Sequence, residues 1–75
     1  MADDVRIELS RDEALVLFEW LHRNDEARAI RVEDPAEQRV LWDLEARLEA
    51  ALAEPLDPAY DALLAEARAC VRDRA

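Results

Sequence analysis

The sequence predicts a small α+β domain, mainly helical, with two short strands and three helices in the order β-α-β-α-α. Three observations lead there. Apolar and charged residues alternate at period two over Val5-Arg6-Ile7-Glu8-Leu9, helix-capping residues precede three longer apolar runs, and prolines punctuate the second half. The chain has 75 residues, 52% of them hydrophobic and 39% charged, enough apolar material for one small core. Residues 1–75 are therefore read as a single domain.

Val5–Leu9 is the first expected strand. Ser10 then stands three residues before Glu13, the spacing of a capping box, and opens a helix from about Arg11 to about Asn24. Ile30 and Val32, two apart within Ala29–Glu33, suggest the second strand. The two strands pair either with each other in parallel, through a helical crossover, or each with a second copy. Asp34 as cap, Pro35 where a missing N–H costs nothing, and Glu37 in the first turn open a second helix, running to about Glu54 before Pro55. Asp57 and Pro58 repeat that signal and open a third helix to about Asp73. So short a link implies that the second and third helices form an antiparallel hairpin.

The faces of these helices differ. In the third, Tyr60, Leu63, Leu64, Ala67, Cys70 and Val71 share one stripe, with Cys70 expected as a small buried hydrophobe at its edge. In the second, Leu41, Leu44, Leu48, Ala51 and Leu52 form the core stripe, with Val40 at the margin. Trp42 projects about 140° from its centre. In the first, Ala14, Leu15, Val16, Leu17, Phe18, Trp20 and Leu21 occupy an arc of about 260°. A helix apolar nearly all round needs cover on several sides, and a chain this short is expected to leave some of it for another chain. A second copy across a two-fold axis is the simplest partner. Leu15, Val16, Trp20 and Trp42 are the expected contact residues, tryptophan being enriched at interface hot spots.

Charge is unevenly spread. The net charge is −9, and residues 33–66 carry ten acids against two arginines. This argues against nucleic acid or an anionic membrane as partner; the acidic span reads either as a solvated face that keeps a small apolar domain soluble or as a surface that steers a basic protein partner. Asp43, Glu45 and Glu49 on the second helix would supply that surface. No run approaches the ~20 apolar residues of a membrane span. The opening Met-Ala-Asp-Asp lacks the basic and apolar regions of a signal peptide, so a cytoplasmic location is expected.

The residues of catalysis are sparse. With no glycine, phosphate-binding loops such as G-x-x-x-x-G-K-[ST] and G-x-G-x-x-G cannot form. The only serine, Ser10, is spoken for as a cap, and Cys70 alone makes neither an intramolecular disulfide nor a cysteine-rich zinc site. Glu19-Trp20-Leu21-His22 has the E-x-x-H spacing of di-iron bundles, but it stands alone and borders a narrow polar strip. No catalytic residue, metal or cofactor is expected.

The stretches Leu9-Ser10-Arg11-Asp12-Glu13-Ala14-Leu15-Val16-Leu17-Phe18-Glu19-Trp20-Leu21 and Glu33-Asp34-Pro35-Ala36-Glu37-Gln38-Arg39-Val40-Leu41-Trp42-Asp43-Leu44-Glu45, with Leu48-Glu49, Tyr60 and Leu63-Leu64, resemble a group of short acidic bacterial proteins of unknown function. The resemblance covers most of Leu9–Arg68. It implies a free-standing bacterial protein and carries no activity with it. The resulting expectation is a non-enzymatic, homodimeric interaction or regulatory module. The alternative is a small acidic inhibitor, of the immunity-protein or antitoxin type, directed at a basic toxin or nucleic-acid enzyme.

Overall fold

The computed structural model describes residues 3–74; Met1, Ala2 and Ala75, at the two ends of the expected domain, lie outside them. The described residues form three α-helices, α1 (Arg11–Glu26), α2 (Pro35–Ala51) and α3 (Tyr60–Arg72), with a 3-10 turn over Glu54–Leu56. There is no strand among them, so the fold is helical and the expected α+β class is overturned. Val5–Leu9 keeps its alternating pattern but has no neighbouring strand to share hydrogen bonds with. Ala29–Glu33 serves instead as the connection between α1 and α2, with Ile30 packed against the core.

Helix starts follow their capping residues. The Ser10 hydroxyl accepts the Glu13 N–H (3.1 Å) while the Glu13 carboxylate accepts the Ser10 N–H (2.8 Å), a complete capping box. That backbone contact, reinforced by Arg74, holds the Glu13 carboxyl down at about 2. Asp34 accepts the Ala36 N–H at 2.8 Å, and Pro35 occupies the first turn of α2. Asp57 also accepts an N–H, from Ala59 at 2.7 Å, but it caps a turn ahead of α3 rather than the helix itself.

The exit from α1 is closed by two reversed bonds, Ala29 N–H to Asn24 C=O (2.9 Å) and Arg28 N–H to Asp25 C=O (3.0 Å). This is the Schellman arrangement, which needs a left-handed residue just past the cap. In a chain without glycine that position falls to Arg28, at φ 54°, where a residue bearing a Cβ costs about 1–2 kcal/mol.

Packing departs from the expected hairpin. Contacts between α1 and α2 pair Asp25 with Trp42, His22 with Glu45 and Arg11 with the turn residue Glu54. One partner rises in number as the other falls, so α1 and α2 form the antiparallel hairpin. α3 packs on another side of α1, with Tyr60 at Glu19 and Arg74 at Glu13, while α2 and α3 approach each other little. The link Leu52–Ala59 is long enough, with its 3-10 turn, to carry the chain across α1 rather than back along α2.

α1 is thus the central helix, and its broad apolar arc is mostly covered by its own chain. Leu15, Phe18 and Leu21 are buried with Leu48, Leu52, Leu64 and Ala67, and Ala14, Val16 and Leu17 pack against that cluster. On α2 the stripe is narrower than expected: Leu41 and Leu44 are half-buried, whereas Val40 and Ala51 are exposed. Cys70 on α3 is an exposed free thiol, not a buried hydrophobe. No described helix is long and apolar enough to cross a membrane.

Candidate interaction surface

The expected contact residues divide. Leu15 is buried against α1's neighbours and is removed from the candidate surface; its place in the arc faces the core. Val16 is half-buried. Trp20, one turn beyond Val16 and on the same side of α1, is 47% exposed. Trp42 is 53% exposed, and its indole Nε1–H donates to the Asp25 carboxylate at 3.1 Å. That bond holds the ring over the junction of α1 and α2, against an open cleft of about 580 Å³ lined by Asn24, Asp25, Arg28, Ile30 and Gln38.

The acidic candidates divide as well. Asp43 and Glu49 are exposed on α2. Glu45 is not free to meet a partner, because its carboxylate lies 3.2 Å from His22 Nδ1 and its side chain is largely covered. His22 also has Nε2 at 3.3 Å from Glu26, and its ring stacks on Phe18 with centroids 5.7 Å apart. The Glu45 contact, ahead of the charges of Glu26 and Glu19, raises the imidazole above its ordinary pKa. The sequence gives no warning of this pair, whose members lie 23 positions apart on different helices.

Beside the pair lies a second cleft of about 530 Å³, walled by Phe18, His22, Glu49, Leu52, Pro55, Leu56 and Tyr60. The Tyr60 hydroxyl donates to Glu19 at 2.7 Å across it. Burial first, then this bond to a carboxylate, pushes the phenol well above its ordinary range, so it stays a neutral donor. Both nitrogens of His22 face carboxylates, and among the described residues neither Ser10 nor Cys70 is hydrogen bonded to it. The two members of the E-x-x-H spacing have separate hydrogen-bond partners, Tyr60 for Glu19 and Glu45 for His22. Among the described residues no group of three or more His, Cys, Asp or Glu side chains is placed to hold a metal.

The apolar surface that most needs a partner lies outside the helices. Val5 is 87% exposed, Ile7 79% and Leu56, in the 3-10 turn, 91%. The Arg11 guanidinium grips Glu54 at 2.7 Å, so the root of the Val5–Leu9 arm and the 3-10 turn sit at the same end of the molecule. The alternation of Val5–Leu9 reads as a half-buried strand and Leu56 falls in the link ahead of the third helix, so the sequence does not mark these residues as an open surface. Comparison with known protein families, with curated proteins and with solved structures finds no match for this chain.

Proposed function

We propose that this chain is a non-enzymatic protein–protein interaction module that works as a cytoplasmic homodimer. The observation that carries the reading is an excess of surface. The chain exposes 6306 Å², whereas a folded monomer of 8.6 kDa exposes about 4,700 Å². The difference, roughly 1,600 Å², lies partly in the arm ahead of α1, whose residues 3–10 are all exposed. The radius of gyration agrees: it is 13.8 Å, against about 11 Å for a close-packed domain of this length. Trp20 and Trp42, large and half-exposed, add apolar surface open to a partner.

A second reading, inhibition of a basic protein, draws support from the exposed carboxylates of Asp43 and Glu49 in the acidic span of the chain. Salt separates the two. Raising ionic strength from 0.1 M to 1 M shortens the screening length from about 10 Å to about 3 Å. A self-interface of apolar residues barely responds to that change, whereas charge-steered capture of a basic protein weakens sharply. Sedimentation equilibrium is expected to give twice the 8.6 kDa chain mass at both salt concentrations. A monomer mass at every protein concentration would overturn the homodimer.

A further inference from the structure

The arm Val5–Leu9 has the apolar–charged alternation of a half-buried strand, yet no backbone hydrogen bond joins it to another described segment. Its Val5 and Ile7 side chains stand almost wholly in water. A segment left in this condition presents unpaired N–H and C=O groups and uncovered apolar side chains, which favours pairing with another chain. The pattern itself specifies the partner. Placing two copies antiparallel about Ile7 sets Val5 opposite Leu9, Ile7 opposite Ile7, and Arg6 opposite Glu8 on both flanks. Opposed residues of an antiparallel pair project to the same face. One face of the resulting ribbon is therefore entirely apolar, and the other carries two reciprocal ion pairs.

Building on the homodimer reading, we infer that the arm Val5–Leu9 is the dimerisation strand, pairing antiparallel with the same arm of a second copy in a register centred on Ile7. Other registers forfeit the charge match: a parallel pairing sets Arg6 beside Arg6 and Glu8 beside Glu8. A two-stranded ribbon is marginal alone and needs cover for its apolar face. Leu56 is also exposed, in the 3-10 turn whose Glu54 pairs with Arg11 at the root of the arm.

The arm lies outside the buried cluster, so changes within it leave the helical body folded. In a Cys70→Ser background, which removes the native thiol, single cysteines are placed at position 5, 7 or 9 of the full chain. Directly opposed Cα atoms in an antiparallel pair are about 4.5–5.5 Å apart, within disulfide reach, whereas two copies of position 5 are separated by about 14 Å along the ribbon. Ile7→Cys is expected to form disulfide dimers readily, while Val5→Cys or Leu9→Cys alone forms at least about tenfold fewer, and mixing those two restores cross-linking. Arg6→Glu or Glu8→Arg alone weakens self-association about tenfold by setting like charges opposite each other, and the double reversal recovers it to within about threefold. Equal cross-linking at all three positions, or charge reversals without effect on an intact dimer, would overturn the register while leaving the homodimer standing. A monomeric unaltered chain would overturn both.

Discussion

Phe18→Ala is expected to lower folding stability by about 3–5 kcal/mol, the cost of truncating a buried aromatic and leaving part of its space unfilled. Phe18 sits on the central helix inside the buried cluster and also supports the His22 ring by stacking, at an interplanar angle of 13°. A domain of this length has a total stability of roughly 4–11 kcal/mol. The substitution therefore removes a large share of it, and the melting temperature should fall by at least about 12 °C. Calorimetry showing a fall of less than about 4 °C would mean that α1 is not the pillar of the core.

The second large effect tests how α2 faces α1. Leu48 is buried in the cluster, while Leu44, one turn earlier, is only half-buried. Leu48→Ala should cost about 2–5 kcal/mol, and Leu44→Ala about half as much, because part of its side chain is already in water. Chemical denaturation of both variants decides it. Equal losses, or a larger loss at Leu44, would mean that α2 is rotated about its axis from the orientation described.

The helices were legible because their start signals are local. Ser10 with Glu13, and Asp34 with Pro35, satisfy orphan N–H groups through residues at fixed short spacings, and the structure realises both. The strands were not legible, because a period-two pattern states only which side chains share a face. Whether Val5–Leu9 is a strand depends on a hydrogen-bonding neighbour, and nothing in the arm's own residues supplies one. Ile30 and Val32 alternate as well, but within a connection whose entry is set by the left-handed Arg28.

The helical arrangement failed on a similar non-local point. Pro55 and Pro58 suggested a tight corner between the second and third helices, whereas α2 ends earlier, at Ala51, and α3 starts later, at Tyr60. The freed residues form the 3-10 turn that sends α3 across α1. With α2 on one side and α3 on another, most of α1's apolar circumference finds cover at home, which is why Leu15 leaves the contact surface and Trp20 stays on it. Exposure of the candidate surface was foreseen at Trp20, Trp42, Asp43 and Glu49. It was missed at Val5, Ile7 and Leu56, and Glu45 was lost to His22.

Amide hydrogen exchange, followed residue by residue over a range of protein concentration, probes both halves of this picture at once. The buried turns of α1 should be protected at every dilution, while every second amide of Val5–Leu9, the set that faces the partner strand, exchanges freely in dilute solution and becomes protected as the chains associate. Arm amides that exchange freely at all concentrations, or that are already protected in the isolated monomer, would contradict a closed helical body whose arm completes itself on a second copy.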